Sequence, residues 1–463
     1  MRIMLVSPPP YRVVERYYDR PPYPRTALAC LAAFLRASDI DTGVLDCKFD
    51  RLNYSAAVEK IVSARPDVVG FTAFTNEIIQ AAHLAELVKR RAPRITTVIG
   101  GVHVTALPER TMREFKMFDF GAVGEGEETL VEFLQAPQKD AEPQPIPGLC
   151  FLDERGGFHA GPPRRRISDI NSLPMPAWDM FAPGREYGLQ TSRGCPFVCP
   201  FCMNPHGRTV RPRSARNVLD EIAWLVENRS PRNILICDEA FTIKRTRAME
   251  ICRGLIERGL SDRMRWRCHT HVRSIDLEMV TLMKRAGCVE IGIGAESGNE
   301  EILARTGKRI TKSDIAGAAE ILREAKMPFQ AFFILGHPNE TPRTAAETID
   351  FAVRLNPTLP VFGIMVPYPG TEIGRMAAEG EGGYILEARD WNDYNKQLGN
   401  AVSIRGLERK TLERMQFRGY LKVFIRNRRF GDLLKFIWRY RREGMAMIAK
   451  SARRIFRRGR SGG

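Results

Sequence analysis

Apolar and polar positions along the first third of the chain fall into short blocks of two kinds. Residues 3–7, 43–47, 68–72, 96–101 and 120–124 are compact apolar runs that predict strands. Residues 25–37, with Leu28, Leu31 and Leu35 at helical spacing, together with 56–64 and 77–91, predict helices, and a further helix starts at Glu127. Strands and helices in turn predict a parallel sheet covered on both faces. Five strands suit the flavodoxin-like (Rossmann-like) order, in which ligands sit beyond the carboxyl ends of the strands. Those ends hold Ser7-Pro8-Pro9-Pro10, Gly70 to Thr75 with Thr72, Gly100-Gly101-Val102-His103, and Gly124-Glu125-Gly126-Glu127-Glu128. Glycines there let a backbone approach a large ligand closely.

The pattern then loosens. Residues 136–147 read as an exposed connection, 149–152 with 158 onward as a hairpin, and the proline-bearing stretch 170–184 as extended chain. Alternation resumes with strands at 187–191, 233–237, 264–271, 289–295, 329–335 and 361–366, with helices between them. Six strand–helix units predict a partial (βα)6 barrel of TIM type, with functional groups at the carboxyl ends of its strands. Gly380 to Gly383 breaks the pattern, and helices are expected at 408–427, at 431–442 and on to about Arg458. The fold class is α/β, divided as 1–140, a linker with hairpin at 141–185, 186–375, and a basic helical region at 376–463.

Length and charge refine this picture. A chain of 463 residues is long enough for two or three domains, and 44% hydrophobic content suffices for globular cores. No apolar run is long enough to cross a bilayer and the amino terminus reads as a strand, so a cytoplasmic location is expected. Of ten cysteines, seven are scattered as reduced core thiols are. The net charge of +17 is concentrated near the end: from Arg418 to Arg460 there are 15 Lys/Arg against two acids. Leu433, Leu434, Phe436, Ile437 and Trp438 lie among those cations, a pattern suited to the inner face of a membrane or to a solvated helical cap. No reading motif accompanies the charge, so nucleic acid is not an expected partner.

The remaining three cysteines are together, in Cys195-Pro-Phe-Val-Cys199-Pro-Phe-Cys202. Three thiolates on one loop suit three corners of a cubane iron–sulfur cluster and leave the fourth iron open. A structural zinc site using Cys195, Cys199, Cys202 and His206 is the other reading of these residues. The loop, with aromatic Phe201 before its last cysteine, resembles the signature of the radical SAM superfamily. The strand-end glycines of the first region, above all Gly-Gly-x-His followed by Gly-Glu-Gly-Glu, resemble the cobalamin-binding domain that precedes many radical SAM cores.

The resemblance implies a [4Fe-4S] cluster on Cys195, Cys199 and Cys202, S-adenosylmethionine (SAM) at its open iron, and cobalamin against Ser7, Pro8, Thr72, Gly100, Gly101, His103, Gly124, Glu125 and Gly126. It implies that Glu239 accepts from the SAM ammonium, Glu296 from the ribose hydroxyls, Arg273 pairs with the carboxylate, and the turn at Gly336 lies near adenine. His269, His271 and His337 also stand at strand ends, within reach of a substrate or as packing groups. The cobalamin pattern Asp-x-His-x-x-Gly is missing, which leaves the lower face of cobalt without a histidine ligand. In the commonest chemistry of this family a deoxyadenosyl radical opens an unactivated carbon and methylcobalamin methylates it, with electrons from a flavodoxin- or ferredoxin-type donor. The expected function is methyl transfer to a small molecule, a secondary metabolite or a lipid. The alternatives are oxidative cyclisation of the anaerobic magnesium-protoporphyrin ester type and a cobalamin sensor without catalysis.

Overall fold

The computed structural model describes residues 1–10, 21–136, 145–395, 400–439 and 441. Most of the expected connection at 136–147, and the helix expected beyond Arg441, lie outside the described residues. The first sheet begins with β1 (Arg2–Ser7), β2 (Asp41–Asp46), β3 (Val68–Thr72), β4 (Thr96–Gly100) and β5 (Phe120–Ala122), parallel and ordered β2-β1-β3-β4-β5. This is the flavodoxin-like order that the sequence predicts. β1 is buried from Ile3 to Ser7, as the central strand of a doubly covered sheet must be, and its apolar run is correspondingly unbroken.

β6 (Leu149–Leu152) and β7 (Phe158–Ala160) form the expected hairpin, but it does not stand apart as a linker. β6 pairs antiparallel with β5 and extends the first sheet to seven strands. β5 is short, and its free edge would otherwise be open to another chain. Phe120 packs against Phe133 and Phe151 at ring separations of 4.8 and 5.8 Å, which fixes the addition.

β8 (Glu186–Leu189) leads to the two-residue strand β9 (Ser192–Arg193), which pairs with β10 (Arg211–Pro212). Then follow β11 (Asn233–Ile236), β12 (Arg265–Thr270), β13 (Cys288–Glu296), β14 (Phe329–Leu335) and β15 (Leu359–Ile364). β8 and β11 to β15 lie parallel in chain order, and β8 does not pair with β15. The expected six-unit open barrel is therefore present. Period-two patterning sorts its side chains. In β14, Phe329, Ala331, Phe333 and Leu335 are buried, with Phe333 packed on Phe351 of the covering helix. Gln330, Phe332 and Ile334 are only partly buried and face the lumen, where Phe332 meets His269 of β12 at 5.3 Å.

One apolar core runs through both sheets, joining Ile3, Leu28 and Leu35 to Trp178, Tyr187 and Leu189. The extended stretch before β8 is part of it. Ala177 N–H donates to Ala29 O at 2.9 Å, and the buried Trp178 donates from Nε1 to Glu221 at 2.8 Å. The carboxy-terminal region is not only helical. A hairpin of β16 (Tyr384–Leu386) and β17 (Val402–Ile404), and a turn at Trp391–Asp393, precede helices Arg409–Arg426 and Phe430–Arg439. Among the described residues no helix is long and apolar enough to cross a membrane.

Helix Arg409–Arg426 lies along β15 and satisfies its outer edge. Gln416 Nε2 donates to Phe362 O at 2.6 Å, Phe362 N–H donates to the Tyr420 hydroxyl oxygen (Oη) at 3.1 Å, and Gly419 lets the helix lie against the Phe362 ring. Replacing Gln416 by leucine leaves that buried carbonyl with one long contact from Tyr420. The expected loss is about 1–3 kcal/mol, read as a lower urea midpoint of the purified chain, with Tyr420→Phe giving a loss of the same sign.

Candidate active site

The cysteine loop is built by its neighbours. Gly194 stands at φ 97°, a conformation that favours glycine, and a Cβ there would strike Thr209 O. Cys195 N–H donates to Gly207 O at 3.0 Å, Asn204 to Cys195 O at 3.0 Å, and Arg208 to Phe197 O at 2.9 Å, so the β9–β10 pair closes a tight lasso. Phe197 stacks on His271 at 4.1 Å, Phe201 meets the His337 ring at 6.1 Å, and Ile373 N–H caps Pro200 O at 3.0 Å. His271 and His337 are thus packing groups beside the loop, whereas His269 faces the lumen.

Cys195 and Cys199 are partly buried and Cys202 is exposed. Burial pushes the Cys199 thiol up to about 12 and also raises Cys195. Such thiols ionise only where a metal's positive charge replaces the lost solvation. Among the described residues no group of three His, Cys, Asp or Glu side chains is already set around a single ion. Three soft thiols and no fourth on the same loop are the donor set of a cubane with one open iron.

The strand ends around the loop carry the charged groups. Asp238 is fully buried and accepts from Thr191 N at 2.6 Å, Ser192 N at 3.0 Å and both hydroxyls, which pins the turn leading into Cys195. Glu239 is beside Cys195, and loss of solvent around its carboxyl raises it above the usual range. Glu296 is buried at φ 58°, beside a register shift in β13. A non-glycine residue held there is strained by about 1–3 kcal/mol, as residues at functional sites often are. Its partner is Lys308, whose Nζ also reaches Gly294 O at 3.1 Å and lies close to Cys195 and Cys199.

Arg273, expected to pair with the SAM carboxylate, is bonded elsewhere. It sits in a single 3-10 turn that directs its guanidinium outward, half-exposed, onto Arg309 O at 3.0 Å and Asp314 at 3.6 Å. The cation that lies beside Glu296 is Lys308, and its only sequence signal is a Gly-Lys pair in a loop between two helices. Gly336, at φ 96°, lies in a turn closed by Glu340, which accepts from Gly336 N and from His337 N at 3.3 Å. Burial lifts the Glu340 carboxyl to about 7.

At the first sheet the expected residues gather at the strand ends, with different duties. Ser7 is buried and donates to Asp46 at 2.5 Å, and Pro8 is buried beside it. Gly101, at φ 101°, approaches Ala73 and Thr72 so closely that a Cβ would lie 2.7 Å from Ala73 O. Gly100 borders the same turn through Phe71 O. His103 is buried against the edge of Trp391 at 4.7 Å, and burial, then Arg110, lowers its pKa to about 4, so the imidazole stays neutral. Gly124, at φ 86°, has open space where a Cβ would stand, and Gly126 opens the following helix.

Glu125, expected against cobalamin, is bonded to the second domain. Arg211 grips it at 2.6 and 3.0 Å, Ile167 N–H donates at 2.9 Å, and His206 and Arg193 stand at 3.4 and 3.5 Å. Glu127 binds Arg193 at 2.6 Å. Burial alone would raise the Glu125 carboxyl, but bonds from His206 and Arg211 hold it well below the usual range. Its stabilisation is therefore complete above the ordinary value of 4.5 and is lost as pH falls towards the folded value. Glu125→Gln is expected to cost about 3–5 kcal/mol in urea unfolding at neutral pH, with the difference shrinking in acid, while exposed Glu128→Gln costs under about 1 kcal/mol.

Comparison with known proteins agrees with this geometry. Residues 19–134 match the B12 binding domain and residues 189–352 the Radical SAM superfamily. An uncharacterized methyltransferase of Pyrococcus horikoshii is 30% identical over 92% of this chain and 93% of its own. The anaerobic magnesium-protoporphyrin IX monomethyl ester cyclase of Cereibacter sphaeroides is 30% identical over 85% of this chain and 66% of its own. The fold matches the radical S-adenosylmethionine methyltransferase TsrM from Kitasatospora setae, with TM-score 0.69 and 22% identity over 86% of this chain and 80% of that one. With its cysteine lasso set against a flavodoxin-like sheet, the chain belongs to the cobalamin-dependent radical SAM enzymes.

Proposed function

We propose that this enzyme is a methyltransferase acting on an unactivated carbon of a small molecule, a secondary metabolite or a lipid. The observation that carries the reading is the join between the two sheets. The strand-end acids Glu125 and Glu127 of the first sheet are bonded to Arg193 and Arg211, which flank the cysteine lasso of the second. A cofactor on each sheet then faces one shared chamber.

Bound together, the cluster, SAM and cobalamin supply the one-electron chemistry and the methyl group, which no side chain can supply. In this reading Cys195, Cys199 and Cys202 hold the cluster. Glu239 accepts from the SAM ammonium, Glu296 from the ribose hydroxyls, and Lys308 balances the carboxylate. The turn 336–340 lies against adenine. Gly100, Gly101, Thr72 and Gly124 give cobalamin close backbone approach, and the neutral His103 backs its turn. The lumen wall of Phe332, Ile334 and Val361 keeps water from the substrate carbon. The exposed side of the loop at Cys202 is where a flavodoxin- or ferredoxin-type donor delivers electrons.

Oxidative cyclisation is the second reading. It has support because the magnesium-protoporphyrin ester cyclase of Cereibacter sphaeroides is as similar in identity as the methyltransferase-named relative. Anaerobic reconstitution with cobalamin, SAM, reductant and substrate extracts separates the two. A methyltransferase releases deoxyadenosine and demethylated SAM, and a cyclase releases deoxyadenosine alone.

Two further outcomes are expected. Replacing all three loop cysteines by alanine removes the iron, about four atoms per chain by elemental analysis, and abolishes deoxyadenosine formation. Lys308→Ala weakens SAM binding by roughly ten- to a hundredfold in equilibrium dialysis of the reconstituted protein, while Arg273→Ala changes it less than about threefold.

A further inference from the structure

Helix Phe430–Arg439 has two apolar faces. One is used inside the molecule: Leu433 and Phe436 are partly buried, and the Phe436 ring packs on Tyr420 at 4.9 Å and Phe424 at 5.6 Å. The other consists of Phe430, Leu434, Ile437 and Trp438, spaced i, i+4, i+7 and i+8 on one stripe. All four are exposed, Leu434 at 68% and Trp438 at 69%. Exposed hydrophobes scattered singly need no explanation, but four large ones in a row do. On helix Arg409–Arg426, Phe417 and Ile425 are exposed as well.

The charges near this stripe that lack an opposite partner are of one sign. Among the described residues Arg414, Arg418, Arg426, Arg428 and Lys435 are exposed and have no carboxylate partner. The one acid of the helix, Asp432, is held by Arg429 at 2.9 Å. The Arg441 guanidinium lies over the Trp438 ring at 4.1 Å, and both groups suit a boundary between apolar and polar media. A second copy of the chain would bring the same cations together at short range, which disfavours it as the partner that covers the stripe. An anionic bilayer answers both features, taking the apolar side chains at the acyl boundary and the cations among its headgroups.

We propose that the stripe Phe430, Leu434, Ile437 and Trp438, with its flanking arginines and Lys435, docks the enzyme on an anionic lipid surface. The inference goes beyond the methyl-transfer reading and does not depend on it. Docking would present the chamber to a substrate that resides in or at the bilayer.

The test is flotation of the reconstituted full-length enzyme with vesicles of phosphatidylcholine alone or mixed with phosphatidylglycerol. Binding should be at least about tenfold stronger to the anionic vesicles and weaken steeply with salt. It should fall by more than about tenfold in Leu434→Gln/Trp438→Gln and about fivefold for each of Arg428→Gln and Lys435→Gln. Uncoupled deoxyadenosine formation should be unchanged in these variants, which separates a failure of docking from a failure of the chemistry. Absence of binding to anionic vesicles, or binding that survives the double variant, overturns the proposal. So does binding that is lost only on removing residues 442–463, or a dimer that the double variant dissolves without any vesicle binding.

Discussion

Two carboxylates and two guanidinium groups, all buried, decide how this molecule is put together. Glu125 and Glu127 leave the end of one sheet, and Arg193 and Arg211 leave the turns that frame the cysteine lasso of the other. Each charge is expensive to remove from water and tolerable only with its partner in place. The pairing therefore sets a specific relation between two halves that a shared apolar core would hold together but not orient. Two cofactor domains that act together need such a fixed relation, because groups misplaced by an ångström react far more slowly.

The open barrel raises the opposite problem, an unfinished edge. A six-stranded parallel sheet leaves β15 with no strand beyond it, and helix Arg409–Arg426 supplies the missing donors and acceptors through Gln416 and Tyr420. The same region covers other openings. Tyr384 donates to Gly336 O at 2.9 Å, and Trp391 donates to Glu114 at 2.7 Å while lying against His103. The carboxy-terminal region thus touches the Gly336 turn of the barrel and the His103 turn of the first sheet together.

Much of this was legible in the sequence, for identifiable reasons. Strand order and barrel size follow from the alternation of periods, and the lasso from three soft ligands at close spacing. Glu125 was not legible, because a carboxylate at a strand end looks the same whether it faces a ligand or a neighbouring domain. The choice was made by Arg211, 86 positions away. Arg273 and Lys308 differ in the same way: Arg273 follows strand β12 yet bonds to Arg309 O, whereas Lys308, in a loop between two helices, bonds to Glu296. The hairpin at 149–160 was visible as a hairpin, but its attachment to β5 depended on a free edge that no local pattern records. The stripe on helix Phe430–Arg439 was visible as apolar and basic, but which members face inward was settled by the rings of Tyr420 and Phe424.

The tryptophan at 391 has a consequence for how the chain is made. Its bond to Glu114 spans 277 positions, and Asn392 meets Gln80 across 312. A ribosome delivers the amino-terminal sheet long before the residues that cover its β4 turn, and Arg211 likewise arrives well after Glu125. Until then the nascent sheet has bare acids and an uncovered imidazole exposed to water, where they are soluble and unsatisfied by protein. The cover over the β4 turn is therefore among the last contacts the growing chain is able to make.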